Sequence, residues 1–185
     1  MWPHLLLTID EFERMVERGA FDHLDRKVEL IRGELRQMNP PGPLHDALIV
    51  YLNNWSLRSA LPADILVTAR TGLDLSHLES RPEPDLMWIN AGRYRDRHPS
   101  ASDVRLAIEV AYSSLQVDMN EKAELYAEAG IVEYWIVDAV SSCVHVFREP
   151  DGSVFKYRDI ANRGDMLSPL AYADAKLDVA DLFGG

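Results

Sequence analysis

The chain has 185 residues, of which 47% are hydrophobic, which suits one folded domain and excludes an intrinsically disordered chain. Its 30 acidic residues against 19 lysines and arginines give a formal charge of −11, which argues against tight, non-specific binding of polyanions. No apolar run reaches the roughly 20 residues of a membrane span, Met1–His4 carry no signal-peptide pattern, and Cys143 is the single cysteine, so a cytoplasmic protein is expected.

Helix and strand signals alternate in the first half of the chain. Thr8 and Glu11 form a capping-box pattern, which predicts a helix that ends near Gly19. A β-hairpin is predicted over residues 27–38, with Arg32-Gly33 as its two-residue turn. After the break at Asn39-Pro40-Pro41, three more elements are predicted: a helix from about Pro43 with an apolar face up to Trp55, and short strands at 65–68 and 71–75.

The second half is dominated by apolar strands. They are predicted at 85–89, 104–112 and 131–137, followed by a hairpin of 143–147 with 153–157. A loop is expected over 113–117, then a helix capped by Asp118 that ends before Gly130, and a closing turn near 179–183. This order predicts one mixed α/β (α+β) domain over residues 1–185, with a mixed β-sheet flanked by helices.

Glu109 is the unusual residue of the predicted strand 104–112. It shares its face with Ala107 and Ala111, and these small neighbours leave room for an ion, a water or a substrate atom. A buried carboxylate without a partner costs several kcal/mol or takes up a proton. The strand therefore favours a metal ion beside Glu109, and the alternative is a face that is turned to solvent.

Two other residues could converge on Glu109. Asp85 opens an apolar strand 24 residues earlier, and two neighbouring carboxylates are the type of ligand that Mg²⁺ prefers. The alternative for Asp85 is a turn residue after Pro84. Lys122 could stabilise negative charge that develops on a substrate, or it could form a local ion pair with Asp118 one helical turn away.

These residues carry a resemblance to a known family. The motifs are Pro84-Asp85, Glu109-Val110, Asp118, Lys122 and Glu133-Tyr134-Trp135, preceded by the hairpin Glu29–Leu35, Pro40-Pro41 and His45. Together they resemble the Uma-type family of restriction-endonuclease-like proteins, in the PD-(D/E)XK nuclease superfamily. The resemblance spans roughly residues 8–183 and implies a restriction-endonuclease-like core with a divalent metal at an acidic site.

The resemblance also implies roles for single residues. Asp85 and Glu109, with the backbone carbonyl of Val110, would hold Mg²⁺ or Mn²⁺. The superfamily lysine usually stands at the position of Ala111, so Lys122 would replace it from the next helix. The family expects a further acid from the N-terminal hairpin, for which Glu34 is preferred over Glu29. His45 is an additional candidate, with a local role at the helix end as the alternative.

The implied reaction is Mg²⁺-dependent hydrolysis of phosphodiester bonds in a nucleic acid, with DNA as the expected substrate. Arg93, Arg95 and Arg97 form the densest basic cluster and could contact the phosphate backbone, although such loops are often only solvated. A catalytically silent binding or assembly module is the alternative, supported by the acidic charge and by Ala111. A glycoside hydrolase ranks lower, because no aromatic-rich sugar cleft is evident. A homodimer is also expected.

Overall fold

The computed structural model describes residues 5–24, 26–38, 42–59 and 61–184. The predictions on Met1–His4 and on Asn39-Pro40-Pro41 lie outside these residues. Across the described ranges, no helix has both the length and the apolarity that a bilayer crossing requires.

The helices and strands follow the predicted order closely. The described strands are β1 (Val28–Ile31), β2 (Glu34–Gln37), β3 (Ile65–Ala69), β4 (Leu86–Asn90), β5 (Val104–Ala111), β6 (Glu133–Asp138), β7 (Cys143–Asp151), β8 (Val154–Ala161), β9 (Met166–Leu167) and β10 (Leu177–Asp178). The described α-helices are α1 (Ile9–Glu17), α2 (Pro43–Arg58), α3 (Leu115–Val117), α4 (Ala123–Glu128) and α5 (Val179–Leu182). A π-helical turn, Asp118–Lys122, joins α3 to α4 in one continuous helical segment.

One sheet organises the described part of the chain. Its strands lie in the order β3-β4-β5-β6-β7-β8, and the pair β5–β6 is parallel while the other neighbours are antiparallel. Helix α2 packs on one face, where Leu48 and Leu52 join Ile108 and Trp135 in a buried cluster. Residues of α4 pack on the other face, where Tyr126 lies with strand residues that include Ala107 and Ala111. The predicted mixed sheet with flanking helices is confirmed.

Local capping and turn chemistry also matches the sequence. Thr8 accepts a hydrogen bond from the Glu11 backbone, and the Glu11 side chain accepts one from the Thr8 backbone, so the capping box of α1 is present. Arg32 and Gly33 have φ values of 51° and 78°. Two successive positive φ angles define the turn that matches the twist of a two-residue hairpin.

Three element predictions are wrong. Within residues 71–75, Asp74 bridges to Ser100 and Leu75 to Ser80, and the segment forms no regular strand. The segment 113–117 is not wholly a loop, because α3 begins at Leu115. Asp118 therefore does not cap a helix, and it lies buried inside the π-helical turn.

Candidate active site

A cleft of about 340 Å³ opens beside the C-terminal end of β5. Its walls come from the hairpin β1–β2, the segment before β4, the start of α2 and the helical segment from Ser114 to Lys122. The charged and polar side chains that line it are Arg26, Lys27, Glu29, Arg36, Gln37, His45, Arg70, Glu83, Asp85, Glu109, Tyr112, Ser113, Ser114, Asp118, Glu121 and Lys122.

Glu109 and Lys122 form a buried, hydrogen-bonded acid–base pair on the floor of this cleft. Glu109 is 4% exposed and Lys122 1% exposed, and the Lys122 ammonium donates to Glu109 Oε1 at 2.8 Å. Tyr126 donates its hydroxyl to the same oxygen at 3.0 Å. Burial raises the pKa of Glu109 against the opposing effect of Lys122. Burial alone would lower the pKa of Lys122, but Glu109, Glu29 and Asp118 raise it well above its ordinary value, so the ammonium stays charged.

Asp85 reaches the site from the neighbouring strand. Leu86 pairs with Ile108 in the antiparallel register of β4 and β5, so the continuation of that register sets Asp85 opposite Glu109. Asp85 Oδ2 accepts the Val110 backbone N–H at 2.9 Å and lies 3.3 Å from His45 Nε2. Burial raises the pKa of Asp85, but the contacts with His45 and Val110 outweigh burial and leave it lowered. The Asp85 contact in turn raises the pKa of His45.

The hairpin supplies Glu29 to the cleft rather than Glu34. Glu29 pairs opposite Arg36 and Ile31 pairs opposite Glu34, so both acids lie on one face of the hairpin. Glu29 is 1% exposed, and its Oε2 lies 3.3 Å from the Lys122 ammonium. Glu34 lies beside the turn, two residues further along the hairpin, where Arg36 holds it at 2.5 Å. The structure does not bring Glu34 to the cleft, although the sequence preferred it.

Asp118 is the acid that the sequence assigned to a different role. A π-helical turn is a rare variation that is frequent at functional sites, and here it contains both Asp118 and Lys122. Asp118 Oδ2 accepts the Ser114 hydroxyl at 2.6 Å, and its Oδ1 lies 4.0 Å from the Lys122 ammonium. Burial raises the pKa of Asp118. The expected local pair of Asp118 with Lys122 therefore exists, but Glu109 is the nearer partner of the lysine.

Cations at the rim surround this acidic floor. The basic side chains other than Lys122 that line the cleft are Arg26, Lys27, Arg36 and Arg70. Arg36 pairs with Glu121 at 2.6 Å, Arg70 with Asp46 at 3.1 Å, and Lys27 with Glu83 at 3.1 Å. Partly exposed ion pairs of this kind are weak, so a phosphate can compete for the cation.

The loop arginines lie elsewhere. Arg93, Arg95 and Arg97 are exposed, follow the far end of β4 and do not line the cleft. Because β4 has five residues at about 3.3 Å each, this loop lies roughly 17 Å along the sheet from Asp85. Arg97 is paired with Asp103 at 2.6 Å. The structure does not bring this predicted cluster to the site.

The sequence matches the model of the Uma2 family, described as "Putative restriction endonuclease", over residues 9–180. This chain belongs to the Uma2 family. The family match and the resemblance carried by Asp85, Glu109 and Lys122 therefore agree, and the match covers every described residue of the cleft.

A solved structure shares the fold of this Uma2 chain. It is described as a "putative nuclease belonging to DUF820" from Anabaena variabilis ATCC 29413, with a TM-score of 0.72 and 17% sequence identity. The alignment covers 96% of this chain and 97% of that one. At this identity the likeness establishes the fold alone. The comparison with curated proteins finds no match to the sequence.

The donor set of the Uma2 cleft fits a hard divalent cation. Glu29, Glu109 and Asp118 lie within 4.0 Å of one ammonium, and Asp85 lines the same cleft. The buried oxygens Glu29 Oε2 and Asp118 Oδ1 have no hydrogen-bond partner. Excess negative charge in a buried site is costly unless a cation neutralises it. Within the described residues, no three of these acids bring oxygens within 4.8 Å of one another. Mg²⁺ suits such a site, because it takes one or two carboxylates and keeps several waters.

Asp118 and Tyr126 are the functional candidates that sequence reasoning missed. Both fall on the helix that carries Lys122, at positions −4 and +4 from it, so one helical face presents all three side chains. That spacing was visible in the sequence and could have identified them. The two buried oxygens without a hydrogen bond, Glu29 Oε2 and Asp118 Oδ1, could not be foreseen, because their surroundings depend on where the hairpin packs against this helix.

Proposed function

We propose that this Uma2 chain is a metal-dependent endonuclease that hydrolyses phosphodiester bonds of DNA in the cleft beside β5. The observation that supports this most directly is the fully buried pair of Glu109 with Lys122, at 2.8 Å, next to Asp85. A buried ammonium contacted by three acids is costly for stability, which favours a functional over a structural reason for it.

In this proposal Asp85 and Glu109, with the Val110 backbone carbonyl, hold Mg²⁺ or Mn²⁺. When bound, the ion polarises a phosphoryl oxygen and lowers the pKa of a coordinated water. The set is restricted to oxygen donors, as hard cations require. His45 holds Asp85 in place from the side of α2, because its Nε2 lies 3.3 Å from Asp85 Oδ2.

Lys122 has the central role among the protein's own groups. Its ammonium is buried and remains charged, so it can stabilise the negative charge that develops on a phosphoryl group in the transition state. Glu29 and Tyr126 position the pair: Glu29 contacts the ammonium, and Tyr126 donates to the Glu109 oxygen that the ammonium also contacts. The position of the ammonium matters more than the segment that carries it, so Ala111 is compatible with catalysis.

The rim cations are proposed to bind the flanking phosphates. Six acidic and five basic side chains line the cleft among the described residues, so the cleft is not a basic groove by itself. A bound divalent ion would tip this balance towards positive charge, which couples DNA binding to metal binding. The proposed contacts to the phosphate backbone of DNA come from Lys27, Arg36 and Arg70. The loop arginines, Arg93, Arg95 and Arg97, are not part of this set.

The test is cleavage of supercoiled plasmid by purified protein in Mg²⁺, Mn²⁺ or EDTA. Asp85→Asn and Glu109→Gln should each lower the rate at least about 10³-fold, because they weaken an interaction worth several kcal/mol in the transition state. Glu29→Gln should lower the rate more than Glu34→Gln does. Glu17→Gln, at the exposed end of α1, is the matched control.

Two outcomes would contradict the proposal. Equal cleavage by the wild type and Asp85→Asn would assign the activity to a contaminant. Absence of cleavage by the wild type, with metal-dependent retention of DNA, would favour the catalytically silent binding module. The homodimer, the cytoplasmic location and the single domain over residues 1–185 stay predictions from the sequence.

A further inference from the structure

A second group of metal-binding side chains lies at the turn between β6 and β7, outside the cleft. Asp138 ends β6 and Cys143 begins β7, and the two residues are cross-strand partners. His145 follows two residues later, on the same face of β7. Asp138 Oδ2 and Cys143 Sγ each lie 3.8 Å from His145 Nε2, and one ligand atom from each of the three residues lies within 4.8 Å of the other two.

These distances are close to those of a filled tetrahedral site. Zinc bonds of about 2.3 Å to sulfur and about 2.0–2.1 Å to nitrogen or oxygen place neighbouring ligand atoms roughly 3.3–3.6 Å apart. The two 3.8 Å distances to His145 Nε2 would therefore have to shorten by only a few tenths of an ångström around an ion, while the third ligand distance starts within 4.8 Å. Thiolate, imidazole and carboxylate together form a donor set that suits Zn²⁺ rather than Mg²⁺.

The Asp138 carboxylate is already oriented for this role. Its Oδ1 accepts the backbone N–H groups of Val140 and Ser141, both at 2.9 Å. The tight turn therefore fixes one oxygen and leaves Oδ2 directed at the histidine. Hydrogen bonds of this kind to a ligating carboxylate orient it in metal sites and raise their affinity.

A catalytic Cys-His-Asp relay fits the geometry poorly. In a relay the acid contacts one ring nitrogen of the histidine and the nucleophile contacts the other. Here Asp138 and Cys143 approach the same nitrogen, Nε2 of His145. Burial, with a further contribution from Asp138, raises the pKa of the Cys143 thiol, which is opposite to the shift that an activated nucleophile requires.

We propose that Asp138, Cys143 and His145 form a binding site for a Zn²⁺-like divalent ion, with water as a fourth ligand. Asp138 and Cys143 are buried, and the His145 side chain is 14% exposed, which leaves an entry for the ion and its water. The site lies one strand away from the cleft, since Asp138 pairs with Ala111 in the parallel register of β5 and β6. A bound ion would clamp the β6–β7 turn beside the strand that carries Glu109.

Cobalt provides a direct test, because Co²⁺ bound to a thiolate gives a charge-transfer absorption in the near ultraviolet. Cys143 is the single cysteine of the sequence, so any such band reports this residue alone. The full chain, free of any affinity tag and stripped with a chelator, is titrated with Co²⁺ in excess Mg²⁺. The expected result is one Co²⁺ per chain with a thiolate band, which an equimolar amount of Zn²⁺ removes.

Variants separate this site from other ion-binding groups. Cys143→Ser should abolish the band. His145→Gln should weaken Co²⁺ binding at least about tenfold, because it changes a direct ligand, and even the loss of an outer-shell partner costs about 10–100-fold. His77→Gln is the matched control, because His77 is exposed on a separate segment and should leave the titration unchanged. Circular dichroism establishes that each variant is folded before titration.

The proposal does not depend on the nuclease function. Asp85→Asn should keep the cobalt band even where it abolishes DNA cleavage, so failure of one proposal is distinguishable from failure of the other. Binding of Co²⁺ without a thiolate band, or a titration that His145→Gln leaves unchanged, would overturn the assignment. So would the absence of any binding by the folded, stripped wild type in the presence of Mg²⁺.

Discussion

Two acid–base pairs in this fold, Glu109 with Lys122 and Glu133 with Arg148, differ in how fully their oxygens are satisfied. Glu133 accepts from Arg148 at 2.6 Å and from the Trp135 indole at 2.9 Å through one oxygen. Its other oxygen accepts the Leu170 backbone N–H at 2.7 Å. One acid therefore faces one base, and both of its oxygens are hydrogen-bonded.

The pair of Glu109 with Lys122 has the opposite balance. Three further acids line the cleft around this pair, and two buried oxygens, on Glu29 and Asp118, have no hydrogen bond. Burial raises the pKa of both Glu109 and Glu133, so burial itself does not distinguish the two sites. The difference lies in the surplus of acids, which is the basis for the proposal that a cation completes this site, whereas the Glu133 site is complete within the chain.

The largest effect on stability is expected at the satisfied pair. Arg148→Met leaves Glu133 buried without its base and should lower the free energy of unfolding by about 3–5 kcal/mol. Urea denaturation measures this change. Adding Glu133→Gln to Arg148→Met should recover part of the loss, because it removes the uncompensated charge. A loss below about 1 kcal/mol in the single variant would mean that this pair is not structural.

Among the side chains that do not hold the metal in this proposal, the largest effect on activity is expected at Lys122. Lys122→Met should lower DNA cleavage by about 10²–10³-fold, since it removes a preorganised charge from the transition state. Arg36→Gln at the rim should instead weaken DNA binding, with a smaller effect on the rate at saturating DNA. Single-turnover cleavage over a range of DNA concentrations separates an effect on the cleavage rate from an effect on DNA binding. Equal effects of both variants on the saturated rate would contradict the central role given to the lysine.

Replacement of an acid by its amide should change the free energy of unfolding in opposite directions at the two sites. Asp118→Asn removes a surplus charge and keeps an acceptor for Ser114, so it should stabilise the protein in EDTA by about 1 kcal/mol. Glu133→Gln turns an amide N–H towards the Leu170 N–H and should destabilise by about 1–3 kcal/mol. Chemical denaturation of both variants in EDTA is the measurement. Destabilisation by Asp118→Asn in EDTA would contradict the difference drawn between the acid surplus around Lys122 and the complete Glu133 site.

The last expected effect is a dependence of stability on pH. Burial, opposed by Lys122, raises the pKa of Glu109 to about 8, above the ordinary 4.5. Between these values the folded chain holds a proton that the unfolded chain has released, so in EDTA the free energy of unfolding should fall as pH rises. This contribution is complete below about pH 4.5 and lost above about pH 8. Glu109→Gln should flatten the profile, and an unchanged slope would contradict this origin.

The sequence predicted most elements because their signals are local. The capping box at Thr8 and Glu11, the turn at Arg32-Gly33 and the apolar runs of the central strands each depend on residues within a few positions. The prediction of a strand over 71–75 was wrong, because a short apolar run does not supply its own strand partner. The start of α3 was missed because Ser113-Ser114 reads as a loop.

The candidate site could be predicted only in part. Asp85, Glu109 and Lys122 were found because charges next to apolar strands, or in a family motif, stand out in the sequence. Glu29 could not be chosen over Glu34, since both share one face of the hairpin. Only the packing of the hairpin decides which of them lies beside the helix that carries Lys122. The cluster of Asp138, Cys143 and His145 was missed, because its members belong to two strands.

The sequence by itself determined the alternation of helices and strands, the family and the anomalous acid in β5, since these depend on residue type and short-range spacing. The tertiary structure decided which charges meet. It packed the hairpin and the π-helical turn against β5, so that Glu29, Asp118 and Lys122 share one buried space with Glu109. It also left Arg93, Arg95 and Arg97 at the far end of the sheet. Electrostatic interactions depend on distances through space, which the order of residues along a chain does not fix.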